Sequence, residues 1–278
     1  MAPSFGRSIS FPLSPARSKP RAAAAACHVR SISLPCRSHP LLSHLQSHIA
    51  AVRSWLVQDA SSVSAGLAHI HALHAALADL LLLPDPQDTL RRATTAADRL
   101  LDAFLLLADA HQGFQEAVVD LRQDVAEARA ALRRGDAARL ASAVRSQRRA
   151  EKELSRLAST VSAGAASKYS SRLGLGATAE ETEMAAVLMD AAAASAAASA
   201  AVFSAAASMS SAAASSCKKT PTFAAFAKKA SPETTEVALD RFEELEQCIE
   251  ESGSSCHKVF RSILQTRVAL LNIQTPTF

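Results

Sequence analysis

Apolar residues recur every three or four positions along most of the chain, which is the period of an amphipathic α-helix. One such stripe lies within residues 63–80, a second within 90–107 and a third within 114–132. A turn is expected at residues 111–113, where His-Gln-Gly separates the two later stripes. Two helices with heptad-like stripes and so short a connection are expected to pack antiparallel. The apolar members of the first stripe are Val63, Leu67, Ile70, Leu73, Leu77 and Leu80.

Residues with known capping preferences divide this helical pattern. Asp85 is expected to cap the helix that follows it, because a carboxylate accepts hydrogen bonds from the free N–H groups of a first turn. Gly135 followed by Asp136 is typical of one helix ending and the next beginning. Gly253 is expected to interrupt the last helical stretch. The signals predict a bundle of at least four helices in the first part of the chain.

The predicted organisation has four parts. Residues 1–40 are rich in Ser, Pro and Arg, a composition typical of a disordered basic tail. Residues 41–165 are expected to form an N-terminal helical bundle, and 166–178 a linker. Residues 179–273 are expected to form C-terminal helices packed on the same bundle. The predicted fold class is therefore all-α, an elongated antiparallel helical bundle with a disordered N-terminal tail.

An uncharged Ala/Ser tract at residues 191–216 is long enough to span a bilayer. Alanine is nearly neutral and serine unfavourable for membrane insertion, so the tract is interpreted as a close-packed helix of small residues. Composition supports the helical assignment, since aromatic residues make up only 4% of the chain and most apolar residues are the helix formers Ala and Leu.

The positive charge is concentrated at the N-terminus. Seven basic residues and no acidic one precede Asp59, so the rest of the chain is slightly acidic although the net charge is +4. A nucleic-acid-binding domain concentrates basic residues on its folded surface, and the distribution argues against one. Five cysteines, an odd number without a C-x-x-C pair, favour a reduced intracellular compartment.

The patterns of common catalytic and metal sites are missing from the sequence. It has no Gly-rich phosphate loop, no G-x-S-x-G elbow and no H-E-x-x-H pair, so we expect a protein that is not an enzyme and needs no cofactor. His69, His71 and His74 are interpreted as a solvated polar helix face. Cys248 and Cys256, with the adjacent histidine, lack a fourth ligand at zinc-finger spacing, so no metal site is predicted.

Two stretches of the chain have a specific sequence pattern: residues 27–40 read CHVRSISLPCRSHP, and residues 259–273 read VFRSILQTRVALLNI. Both stretches resemble the plant BYPASS-like family. The resemblance extends over roughly residues 27–273 and implies a plant protein with an all-helical domain. It also implies a link to root and shoot development, without an established catalytic activity or active-site residues.

The tail contains the pattern R-S-x-S-x-P twice, and this pattern resembles the phosphoserine motif that 14-3-3 proteins bind. Its residues are Arg7, Ser10 and Pro12 in the first copy and Arg30, Ser33 and Pro35 in the second. The arginine guides a basophilic kinase, phosphate on the second serine supplies charge for a basic cluster, and proline turns the chain away. Ser10 and Ser33 are separated by 23 residues, a reach of up to about 75 Å, so two sites fit one dimeric reader.

The tail has two other interpretations. Its Ser- and Arg-rich, acid-free start is typical of a chloroplast transit peptide, although residues 28–40 belong to the BYPASS-like resemblance. Alternatively, the basic tail and the Ala/Ser helix contact an anionic membrane surface, and the chain is a peripheral or trafficking-associated protein. The leading hypothesis is a cytoplasmic, non-catalytic regulatory or adaptor protein whose tail is phosphorylated at Ser10 and Ser33.

Overall fold

A computed structural model describes residues 39–168, 179–218 and 232–275. These ranges contain seven helices and no strand, so the all-α prediction is confirmed for them. The helices are α1 (Pro40–Gln58), α2 (Val63–Leu81), α3 (Pro84–Arg92), α4 (Thr94–Arg134), α5 (Ala137–Lys168), α6 (Ala179–Lys218) and α7 (Pro232–Gln274).

The helix pair α4–α5 is an antiparallel hairpin. The antiparallel pair predicted from the stripes at residues 90–107 and 114–132 was wrong, because both stripes lie almost entirely in the single helix α4. Gly135 ends α4 with φ 69°, a left-handed conformation that glycine adopts without strain. The Asp136 carboxylate then accepts a hydrogen bond of 3.0 Å from the backbone N–H of Arg139 in the first turn of α5. Further along, Gly113 faces Leu157 and Gly164 faces Leu106, which fixes the antiparallel register.

The other long helices pack around α4. Across the α4–α7 interface, the Gln115 side chain donates a hydrogen bond to the backbone carbonyl of Cys256, and Arg122 forms an ion pair with Glu250 at 3.5 Å. The order of these contacts makes α4 and α7 antiparallel. Arg129 also binds the acidic half of α7, at 3.7 Å from Glu243 and through a closer ion pair with Glu246. One cluster of buried apolar residues includes members of all seven helices.

The Ala/Ser tract lies inside α6, and α6 belongs to the core. It packs against α5, α2 and α1, and small side chains on several of its faces allow these helices to approach closely. The segment Thr182–Cys217 is long and apolar enough to cross a membrane, with a mean hydropathy of 1.7 over an 18-residue stretch. However, 67% of that stretch is buried in the bundle. Taken together, α2 and α3 also meet these criteria of length and composition, and the chain bends by 86° between them.

Three boundary predictions were wrong. The turn predicted at residues 111–113 lies inside the continuous helix α4, because Gly113 allows close packing on Leu157 instead of ending the helix. Gly253 lies inside α7. Asp85 is in the first turn of α3 and not its cap, since the helix begins one residue earlier at Pro84 with Leu83 as the cap residue. Prolines fit the first turn of a helix, where N–H groups have no helical partner.

Helix limits also differ from the predicted organisation. α1 begins at Pro40, the last residue assigned to the tail, and was not predicted as a separate helix. α5 continues through residue 168, three residues into the predicted linker, while residues 169–178 lie outside the described ranges. The apolar stripe of α2 is confirmed, because all six of its predicted residues are buried.

A pair of glycine substitutions tests the packing between α1, α2 and α6. A Cβ at Gly66 would lie 2.6 Å from the Trp55 ring and closer still to Val202, whereas a Cβ at Gly253 would meet nothing within 4 Å. We expect Gly66→Ala to lower the free energy of unfolding by about 1–3 kcal/mol through overpacking. Gly253→Ala is expected to raise it by about 0.5–1 kcal/mol through helix propensity. Urea denaturation of both variants measures the two effects. If both substitutions changed the free energy of unfolding in the same direction, the packing described would be contradicted.

Candidate functional site

The candidate phosphosites Ser10 and Ser33 lie outside the described residues. The same holds for the flanking motif residues Arg7, Pro12, Arg30 and Pro35. The phospho-recognition motif therefore stays a prediction from sequence.

The three histidines of α2 occupy different environments. His71 is exposed, His69 is half-buried with its ring 5.9 Å from that of Trp55, and His74 is fully buried. The interpretation of all three as a solvated polar face was wrong for His74. This residue lies four positions after Ile70 and three before Leu77, on the stripe that α2 turns towards the core.

His74 connects three helices through hydrogen bonds. Its Nδ1 lies 3.1 Å from the Thr266 hydroxyl of α7, and its Nε2 lies 2.9 Å from the Ser195 hydroxyl of α6. The Thr266 hydroxyl donates its single proton to the carbonyl of Ser262, so its oxygen accepts from Nδ1–H. These partners assign the proton of the neutral ring to Nδ1, and Nε2 accepts from Ser195.

His111 of α4 makes a similar contact with the next turn of α6. Its Nε2 is 2.9 Å from the Ser199 hydroxyl, which itself donates to the backbone carbonyl of Ser195. The Ser199 oxygen therefore accepts from Nε2–H, and Nδ1 of His111 is a buried acceptor without a hydrogen-bond partner. We call the five residues His74, His111, Ser195, Ser199 and Thr266 the histidine–hydroxyl seam.

Aromatic rings surround the seam and shield it from solvent. The Phe203 ring of α6 lies 5.2 Å from His111 and 4.7 Å from Phe114, measured between centroids, and Phe104 lies 5.4 Å from His74. All three phenylalanines are at most 1% exposed. In this environment burial lowers the pKa of both histidines from 6.5 to about 3, with smaller contributions at His74 from His111 and His71. Both rings are therefore neutral near pH 7.

The seam is built to hold helices together. A general acid or base works best with a pKa near the operating pH and must reach a substrate. Rings with a pKa of about 3 and no exposed surface meet neither condition, and their hydrogen bonds are used between helices. The seam stabilises the arrangement of α2, α4, α6 and α7.

The described cysteines are likewise placed as packing residues. Burial raises the pKa of the Cys256 thiol to about 12 and that of Cys217 to about 11, and it raises the pKa of Cys248 as well. A thiolate is the form that attacks electrophiles or binds metals, so these thiols are poorly reactive near neutral pH. Within the described ranges, no group of three or more His, Cys, Asp or Glu side chains is placed to hold a metal ion.

A surface groove runs between α5 and α6 and is lined mainly by serine hydroxyls. Glu151 is the one titratable residue among its lining groups, which otherwise are serines and alanines from the two helices. In this lining the Ser155 hydroxyl donates a hydrogen bond of 2.9 Å to the backbone carbonyl of Glu151 and not to its carboxylate, so this serine is not paired with a base.

The residues of the seam lie in the part of the chain that matches a model of a known protein family. The family model described as Protein BPS1 matches residues 66–273, which is most of the chain. The chain belongs to the BYPASS family. No curated protein and no solved structure matches it. Membership supports a plant regulatory protein of the BYPASS type, in a family that is not a known enzyme family.

The BYPASS match starts at Gly66 in α2 and ends at Ile273 in the last turn of α7. It therefore includes every residue of the histidine–hydroxyl seam and the C-terminal stretch 259–273 that carried the resemblance. In that stretch, Val259, Ile263 and Thr266 are fully buried, so its pattern reflects the inner face of α7. The N-terminal stretch 27–40 and α1 precede the matched residues.

Sequence reasoning missed two features of this BYPASS protein. His111 was assigned to a turn, and its burial followed only from the packing of α4 on α6. His44 and His48 of α1 were not considered, although their i, i+4 spacing places them on one helix face. Their Nε2 atoms are 3.2 Å apart in the structure. The H-x-x-x-H spacing was the signal that identifies this pair.

Proposed function

We propose that this BYPASS-family chain is a non-catalytic adaptor in plant development, in which a helical bundle carries a phosphorylated tail to protein partners. The family resemblance points to root and shoot development. The buried, neutral histidines support the proposal, since the side chains best suited to acid–base chemistry are used for packing. The bundle then serves as the scaffold, and recognition belongs to the tail.

The duplicated R-S-x-S-x-P motif carries the proposal. Phosphate on Ser10 and Ser33 would add about −2 charge at each site and three strong acceptor oxygens, the chemistry that an arginine cluster binds. A 14-3-3 dimer is the partner that we propose, in the cytoplasm. The membrane-surface alternative is less well supported, because the Ala/Ser helix that it places against lipid is largely buried in the bundle.

Synthetic tail peptides test the recognition step. We expect peptides spanning residues 4–15 and 27–38 to bind a 14-3-3 protein at least about tenfold more tightly when phosphorylated at Ser10 or Ser33 than when unmodified. The matched controls carry the phosphate on Ser8 or Ser31, which preserves the charge but changes its distance from the proline. Fluorescence anisotropy measures the affinities. Equal, weak binding by all forms would remove 14-3-3 from the proposal.

A further inference from the structure

Two histidines are paired on the surface of α1, away from the histidine–hydroxyl seam. His44 is exposed and His48 is half-buried, and they are one helical turn apart. Their ring centroids are 4.6 Å apart with the planes at 83°, and the two Nε2 atoms face each other at 3.2 Å. The pair therefore places two ring nitrogen atoms next to each other on α1.

This separation fits a single metal ion. A zinc–histidine bond measures about 2.0–2.1 Å, so two nitrogens on one ion are about 2.9 Å apart at an octahedral angle and about 3.4 Å apart at a tetrahedral one. The observed 3.2 Å lies between these values. We propose that His44 and His48 form a surface site for one divalent transition-metal ion, bound through both Nε2 atoms.

Metal binding requires the neutral form of imidazole. The pKa of His48 is lowered, mainly by burial and then by the nearby His44 and His69.

The chemistry of the pair indicates which ions it takes. Within the described ranges no third His, Cys or acidic side chain joins the pair, so water completes the coordination shell. In the ion-free pair one Nε2–H donates to the other Nε2, and metal binding moves that proton through solvent to Nδ1 of the same ring. A site with nitrogen ligands binds Cu²⁺ most tightly, and it binds Ni²⁺ and Zn²⁺ less tightly than Cu²⁺.

A bound ion would stabilise the helical conformation of α1. The opposite face of this helix packs into the core through Leu45, Ile49 and Val52, and a chelate spanning one turn holds the exposed face in helical geometry. Because the ion binds the folded helix and not the unfolded chain, it raises the apparent stability of the protein by mass action.

Calorimetric titration of the untagged full-length protein with NiCl₂ at pH 7.5 tests the site. Nickel is the probe because cysteine thiolates prefer softer ions. We expect the wild type to bind one ion that the His48→Ala variant binds at least about tenfold more weakly. His44→Ala is the second variant, since its side chain is exposed and its removal leaves the core intact. The matched control is His71→Ala, an exposed histidine with Ala75 at i+4, and it should bind as the wild type does.

Two readouts decide between the outcomes. Loss of one binding event in both pair variants, together with loss of the nickel-induced rise in melting temperature, supports the site. Unchanged nickel affinity in His44→Ala and His48→Ala overturns it and assigns any binding to histidines elsewhere in the chain. The tail motif plays no part in this test, so its result is independent of the proposed 14-3-3 interaction.

Discussion

Acidification from pH 7.5 to pH 5 is expected to lower the free energy of unfolding by about 4 kcal/mol, about 2 kcal/mol from each buried histidine. In the unfolded chain these histidines titrate near 6.5, whereas in the folded protein the pKa of each is about 3. Between these values the unfolded state binds more protons, so the stability is complete above pH 6.5 and is lost progressively as the pH falls towards 3. Urea denaturation at the two pH values measures the difference.

The His111→Leu variant separates this effect from other titrating groups. It removes one buried histidine and should halve the loss of stability between pH 7.5 and pH 5. Asp124 acts in the opposite direction, because burial raises its pKa, and it contributes equally to wild type and variant. His257→Ala is the matched control, because it changes an exposed histidine that does not contribute to the pKa of His74 or of His111. A wild type equally stable at both pH values would contradict the burial of His74 and His111.

Truncation of Phe203 is expected to cost about 3–5 kcal/mol of unfolding free energy, the usual range for a fully buried phenylalanine. Its ring is 0% exposed and packs between His111 and Phe114 at the centre of the seam. The Phe203→Ala variant leaves a cavity at the point where α6 meets α4. Urea denaturation monitored by circular dichroism measures the loss.

The neighbouring substitution Ser204→Ala is the control for Phe203→Ala. Ser204 is exposed on the same helix, so its replacement should change the unfolding free energy by less than about 0.5 kcal/mol. The comparison separates core packing from helix propensity in the Ala/Ser tract. If both variants unfolded at the same urea concentration, α6 would not occupy the core.

The helical stripes could be predicted because packing and sequence obey the same period. The apolar stripe of α2 is buried as predicted, and Gly135 with Asp136 ends and starts helices as predicted. Helix ends at Gly113 and Gly253 were wrongly predicted, since a glycine inside a helix costs only about 1 kcal/mol and long helices with extensive packing tolerate it. The helix propensity of a single residue does not show whether packing along the rest of the helix offsets this cost.

The seam could not be derived from sequence, for a different reason. In the Ala/Ser tract nearly every residue is small, so no apolar stripe shows which side of α6 faces the core. The partners Ser195 and Ser199 therefore look like any other serine of the tract. His74 lies on the apolar stripe of α2, and its burial was predictable from that position, but its hydrogen-bond partners lie 121 and 192 residues away. Only the tertiary arrangement brings them together.

The helical scaffold and the tail make separable contributions in this account. The seam and the α6 core hold the helices of the bundle together. The proposed recognition uses two phosphoserines, so the affinity of the whole chain should exceed that of either site alone.

The most direct test of the proposed adaptor function is the affinity of the full-length chain for a dimeric 14-3-3 protein after phosphorylation of both Ser10 and Ser33. We predict binding at least about a hundredfold tighter than that of the Ser10→Ala or Ser33→Ala variants, because the second site binds at high effective concentration. If the doubly phosphorylated chain bound no more tightly than the unmodified one, the claim of phosphorylation-dependent partner binding would be contradicted.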